Sequence, residues 1–146
     1  MLYVMALTVH ILSVVIWIGG VSFVTLVTFP MILRMDKSLE MVLMFQGVEH
    51  RFGKIAKVMV LLAGLSGLYL IFEKGLSFGV WVMIVVWAFY ASLLFGLEKL
   101  IFKKLFSRPE DQSDMKKVFN LLQGFHWVVL GLSFLAIAFG VYTAHY

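Results

Sequence analysis

The stretch Thr8–Gly20, TVHILSVVIWIGG, decides the fold of this chain. It lies in an apolar run that starts at Met1 and meets no charged side chain before Arg34. Because about 20 apolar residues in a helix cross a bilayer, this run predicts a first transmembrane helix. His10 interrupts it, and an ionisable side chain inside a membrane helix usually faces the protein interior and marks a functional site. His10 is therefore the first candidate site residue.

The composition indicates that the whole chain is a membrane protein. Of its 146 residues 62% are hydrophobic and 14% are charged, which is typical of multi-spanning proteins. The absence of cysteine excludes a disulfide framework, iron–sulfur clusters and covalent c-type haem. The net charge of +4 comes from basic residues at predicted helix ends, so it does not indicate nucleic-acid binding. We expect a multi-pass protein of the cell (inner) membrane whose first helix is retained.

The apolar segments predict an all-α fold, an integral membrane four-helix bundle forming a single domain over residues 1–146. Glu73, Lys74 and Gly75 predict a tight turn in the middle of the chain, and residues 107–114 predict a polar loop. The second helix is expected to begin amphipathic and to become apolar towards its end. The four helices are expected at roughly 2–31, 39–73, 78–105 and 109–143.

The distribution of lysine and arginine predicts the orientation. The first and third connections, with their flanking turns, hold every basic residue except Lys74. Basic loops favour the cytoplasm, so we expect these two loops inside the cell and both termini on the outer side. Glycines within the spans would allow close helix approach; they are Gly64, Gly67, Gly131 and Gly140.

Histidines in the predicted helices indicate a b-type haem site. At about 1.5 Å per residue, His50 and His126 fall at similar depths on helices that run the same way. Two histidines from different helices can ligate one haem iron without covalent attachment, so we predict them as axial ligands, with Arg51 as the partner of a propionate. His10 lies about 13 Å or more from either in depth. We expect it to hold a second haem or another redox partner, such as a quinone head group.

Other interpretations fit some of these residues. Buried histidines also serve as hydrogen-bonded structural groups, Arg51 can be an anchor at the membrane surface, and His145 is expected to be solvated. Four methionines could bind Cu(I) through their thioethers, although methionine also fills cores; they are Met31, Met35, Met41 and Met44.

His10, followed by Trp17, Gly19 and Gly20, resembles the first helix of small four-helix membrane proteins grouped around HemJ-type protoporphyrinogen oxidases and CopD-type copper-resistance domains. The run EHRF at 49–52 is similar to the Glu-Arg-Arg start of their second helix. For the HemJ-like case, the resemblance implies haem b at His10.

The chain also departs from that pattern. Trp81 is followed by Val82 and not by the lysine of HemJ-type proteins, and NLLQ at 120–123 replaces their Asn-Glu-x-Pro run. His126 is an addition that the family does not call for. These departures favour a cytochrome b-like relative that holds haem by more than one histidine.

We therefore predict a membrane-embedded b-type haem protein that carries out electron transfer. The alternatives are a HemJ-like protoporphyrinogen oxidase and a CopD-like copper-binding or transport module, so a haem-dependent oxidoreductase activity is left open. A quinone or a redox protein would be the electron partner. Aromatic residues over the third helix and small residues in the first predict a homodimer; they are Trp81, Trp87, Phe89, Tyr90, Phe95, Gly19, Gly20 and Ser22.

Overall fold

The computed structural model describes residues 1–97, 99, 100, 103 and 112–145. Its described part contains four helices that are long and apolar enough to cross a membrane, which confirms the all-helical, four-span prediction. The predicted end of the third helix and start of the fourth, at 105 and 109, lie outside the described residues. The helices are α1 (Leu2–Leu33), α2 (Ser38–Lys74), α3 (Phe78–Ser92, continuing as the π-helical segment Leu93–Leu97) and α4 (Gln112–His145).

α1 continues past Pro30 by changing its winding. A proline has no N–H for the carbonyl four residues earlier, and its ring collides with that carbonyl in a regular α-helix. The five residues Val24–Thr28 are π-helical, and such a widened turn removes the conflict just before the proline. Phe29 and Ile32, on either side of the proline, are fully buried, so packing holds the last turns of the helix in place.

The helices associate as two pairs. α1 packs most extensively on α2, and α3 packs most extensively on α4, with fewer contacts between the pairs. The turn between α2 and α3 depends on Gly75, whose φ of 83° lies in the left-handed region that favours glycine. The pairs meet at a central cluster of buried side chains, which includes Trp17, Val60, Tyr90 and Leu130.

A second cluster, the inner cluster, joins α1, α2 and α4 at the end of the molecule that carries the α1–α2 connection. Its fully buried members are Phe29, Ile32, Met41 and Phe119. With 37 residues, α2 is about 55 Å long and exceeds the 30 Å or so of a bilayer core. The surplus length of α2 allows this cluster to extend the bundle beyond the apolar spans.

Three of the four glycines predicted to allow close helix approach do so. A Cβ at Gly64 would lie 2.6 Å from Trp87 Cζ2, one at Gly67 would lie 3.1 Å from His10 Cε1, and one at Gly140 would lie 3.1 Å from Met83 Sδ. At Gly131 a Cβ would meet nothing within 4 Å, so the prediction is wrong there.

The residues predicted to mediate self-association divide into two groups. Gly20 packs inside the chain, since a Cβ there would overlap the ring of Phe52, and Tyr90 is only 4% exposed. Trp81 and Phe95 are each 54% exposed, and Gly19 has open space beside it. One face of α3 therefore carries aromatic side chains outward, while the small residues of α1 are partly used within the bundle.

Candidate functional site

The imidazole of His10 is held by the middle of α2. Its Nδ1 lies 2.9 Å from the carbonyl oxygen of Ala63 and 3.3 Å from Ser66 Oγ. A carbonyl can only accept, so the Ala63 contact requires the proton on Nδ1. In the neutral ring Nε2 then carries a free lone pair, which is the form in which histidine ligates a metal.

Small residues of α2 make room for this ring. Gly67 lies directly against it, because a Cβ at that position would come within 3.1 Å of Cε1 and 3.4 Å of Nδ1. Ala63 and Ser66 are buried at the same place, at 2% and 8% exposure. The sequence predicts Gly67 as a contact glycine, but its only indication of Ser66 is a polar residue directly before that glycine in an apolar run.

Trp17 lies two turns after His10 on α1 and occupies the centre of the bundle. It is 4% exposed, and its ring meets that of Tyr90 edge-on at a centroid distance of 4.4 Å and 85°. Its Nε1 is buried and has no hydrogen-bond partner in the described part of the chain. The indole N–H of Trp17 is thus an unused donor where α1 meets α3.

A pair of hydroxyl groups, from Tyr90 and Ser133, lies beside Trp17. The Tyr90 hydroxyl is 2.8 Å from Ser133 Oγ, which itself donates to the Val129 carbonyl at 2.8 Å. The Tyr90 hydroxyl also lies 3.4 Å from the Val129 carbonyl, so the two hydroxyls and this carbonyl connect α3 to α4 across the core. The sequence does not predict this pair, because no short motif contains residues that lie on different helices.

His126 lies against the inner cluster. Its Nδ1 is 2.9 Å from the Leu122 carbonyl one turn earlier in α4, so this nitrogen also carries the proton. Its ring meets Phe29 edge-on, with centroids 4.8 Å apart. From His10 to Phe29 the distance along α1 is about 28 Å, so His10 and His126 occupy opposite halves of the molecule.

The remaining predicted site residues lie at the surface. His50 and Arg51 are exposed on α2, and the ring contacts of His126 are with Phe29 and Phe125. The pairing of His50 with His126 therefore stays a prediction. His145 is exposed as expected, and its Nδ1 contacts the Val141 carbonyl at 2.9 Å.

The candidate copper ligands divide between core and surface. Met41 is fully buried in the inner cluster, and Met35 and Met44 pack against that cluster. Met31 is 48% exposed. Among residues 1–97, 99, 100, 103 and 112–145, no three histidine, aspartate or glutamate side chains are grouped to hold a metal ion.

No family model, curated protein or solved structure matches this chain. A function must therefore be inferred from the geometry of the two membrane histidines and their surroundings.

Proposed function

We propose that the protein is a membrane-embedded b-type haem protein that carries electrons, with His10 and His126 as iron ligands. The observation that carries the proposal is the hydrogen bond from His10 Nδ1 to the Ala63 carbonyl, at 2.9 Å across two helices. Ligating histidines characteristically donate their other ring N–H to a carbonyl or carboxylate, which orients the ring and raises its basicity. His126 has the same arrangement with Leu122.

The second nitrogen of each ring fits a ligand role. Neither Nε2 has a hydrogen-bond partner in the described part of the chain. In the same part of the chain, Trp17 Nε1 is the one buried side-chain nitrogen or oxygen atom that has no hydrogen-bond partner. The Nε2 atoms of His10 and His126 are therefore accessible rather than enclosed, as a ligand atom must be. A histidine with a purely structural role inside a membrane would be expected to use both nitrogens.

A haem, when bound, supplies the one-electron chemistry, and the chain supplies its position and surroundings. His10 would hold one group through Nε2, with Ala63 and Ser66 fixing the ring. His126 would hold a second in the other half of the molecule, where His50 is the predicted second ligand and Arg51 the predicted propionate partner. The two sites would lie about 28 Å apart along α1, at two depths of the membrane.

The packing of the bundle also favours a second copy of the chain. The central cluster fills the space between the helices, so a haem on the accessible side of His10 would project from a single bundle. A homodimer would cover it, and a two-fold pair is the commonest self-association. The part of α3 around Trp81, which is 54% exposed, would be available for such contact.

Orientation and kinship belong to the same proposal. The basic connections favour both termini on the outer side of the cell (inner) membrane and the α1–α2 loop in the cytoplasm. We propose kinship with the HemJ/CopD-like proteins from the resemblance in sequence around His10 and Trp17, two residues that pack within this bundle. The proposed partner is a quinone or a redox protein.

A visible spectrum of the purified protein tests the proposal. We expect reduced-minus-oxidised α and Soret bands, and we expect His10→Ala and His126→Ala each to remove a fraction of the bound haem. His145→Ala is the matched control, because His145 makes the same Nδ1 contact to a carbonyl but at an exposed helix end. A protein without haem after expression with ample haem supply, or two variants with unchanged spectra, would refute the proposal.

Two further measurements separate the alternative functions, and a third tests His50. If haem is absent and elemental analysis finds copper, a CopD-like function replaces the proposed one. If the haem-loaded protein oxidises protoporphyrinogen, the HemJ-like activity is supported. A change from low-spin to high-spin haem in His50→Ala would support His50 as the second iron ligand beside His126. An unchanged low-spin spectrum would show that His50 is not that ligand.

A further inference from the structure

A cleft opens between α2 and α3 towards the end of the molecule that carries the α1–α2 connection. Its volume is about 270 Å³, and it is lined by Lys57, Leu94, Phe95, Gly96 and Lys99. The two helices touch where Trp87 lies on Gly64 and donates to the Val60 carbonyl. The cleft begins about two turns from this contact, at Lys57 before Gly64 in α2 and at Leu94 after Trp87 in α3. Its lining is basic and apolar, whereas the contact itself is tightly packed around an aromatic ring.

The lining combines two ammonium groups with apolar walls. Lys57 comes from α2 and Lys99 follows α3, so the two cations approach the cleft from different helices. Leu94 and Phe95 supply the apolar part, and Phe95 is 54% exposed. Lys57 also has an interaction within the protein, so a bound anion would share this ammonium group with a protein partner.

The local backbone opens the cleft. Leu94, Phe95 and Gly96 all belong to the π-helical segment Leu93–Leu97, which widens the helix and shifts the register of the side chains that follow. A Cβ at Gly96 would meet nothing within 4 Å, so this position borders open space. Such π-helical segments are frequently found at functional sites.

The depth of the cleft matches the headgroup layer of a bilayer. Measured from the α2–α3 turn, Lys57 lies about 26 Å along α2, and Lys99 lines the same cleft and so lies at a similar depth. The apolar core of a bilayer is about 30 Å thick. With the α2–α3 turn at one membrane surface, the two ammonium groups would lie near the phosphates of the other surface, and Leu94 and Phe95 would reach into the acyl region.

We propose that this cleft binds one anionic phospholipid, with its phosphate between Lys57 and Lys99 and an acyl chain along Leu94 and Phe95. Basic pockets between transmembrane helices are a known form of site for acidic lipid headgroups. A free phosphate would be attracted by the same charges but would leave the apolar walls unused, which favours the lipid. The site is independent of haem binding, because it contains neither His10 nor His126.

Native mass spectrometry of the full chain with phosphatidylglycerol or phosphatidylcholine tests the site. We expect one phosphatidylglycerol per chain to be retained under activation that removes phosphatidylcholine. Each lysine near an anionic lipid contributes roughly a fivefold change in affinity, so Lys57→Gln with Lys99→Gln should weaken binding about 25-fold. Lys54→Gln with Lys116→Gln removes the same charge outside the cleft and should leave the preference intact.

A second variant fills the cleft and keeps both charges. Gly96→Leu should abolish retention of phosphatidylglycerol, whereas Gly131→Leu, at a glycine that also borders open space, should not. The proposal fails if the wild-type chain does not distinguish the two lipids, or if the control lysine pair reduces binding as much as the cleft pair. It also fails if inorganic phosphate alone occupies the cleft and competes with the lipid at equal concentration.

Discussion

Gly64 provides the sharpest test of how the two helix pairs are joined. The indole of Trp87 lies on this glycine, and a Cβ there would come within 2.6 Å of Cζ2 and 2.8 Å of Cε2. Carbon atoms in ordinary contact are about 3.5–4.0 Å apart, so Gly64→Ala requires a displacement of about 1 Å. The same indole donates from Nε1 to the Val60 carbonyl at 2.8 Å, and that bond resists the displacement.

The expected cost follows from these contacts. Inserting a methyl group into a packed site typically costs about 1–3 kcal/mol, and losing a hydrogen bond between membrane helices costs about 0.6–2 kcal/mol. Alanine is also favoured over glycine in a helix by about 1 kcal/mol, which acts in the opposite direction. Gly131→Ala has only this gain, because a Cβ there meets nothing within 4 Å. The alanine gain cancels between the two variants, so we expect Gly64→Ala to be less stable than Gly131→Ala by about 1–3 kcal/mol if the Trp87 bond is kept and by about 2–5 kcal/mol if it is lost.

Reversible unfolding in mixed micelles, followed by far-UV circular dichroism, measures this difference. In a Trp87→Phe background the smaller ring should relieve the overlap, so Gly64→Ala should cost less there, with a coupling of at least about 0.5 kcal/mol. If Gly64→Ala is as stable as Gly131→Ala, α2 and α3 do not approach each other through Gly64 and Trp87. Full additivity of the two substitutions would lead to the same conclusion.

Three further predictions concern the core, the orientation and the assembly. Tyr90→Phe removes the bond to Ser133 and should lower the unfolding free energy by about 0.6–2 kcal/mol; Ser133→Ala should cost little more in that background, as a double-mutant cycle would show. Reporter fusions after Lys37 should report the cytoplasm and fusions at Lys74 the outside, and the reverse result would overturn the orientation. The detergent-corrected mass in mild detergent should be that of two chains, and a single-chain mass across concentrations and detergents would refute the homodimer.

Sequence alone was enough to predict the number and character of the helices. Each span is a local sum of apolar residues, and Gly75 at the α2–α3 turn is a local backbone requirement. The placement of His10 on an interior face also followed from local properties, since an ionisable group in an apolar run is stabilised by contact with protein rather than lipid. Such features depend on each segment and its surroundings, so they could be predicted without knowing which helices are neighbours.

Tertiary structure decided which groups meet. Sequence analysis named His10, but its partner is the Ala63 carbonyl, 53 positions along the chain. It treated Gly64 and Gly131 alike, yet only Gly64 lies under a neighbouring ring. Lipid is as apolar as the helix surfaces, so hydrophobicity selects neither the neighbour nor the rotation of a membrane helix. Close packing and hydrogen bonds between helices make that selection, and they depend on shapes that exist only once the bundle has formed.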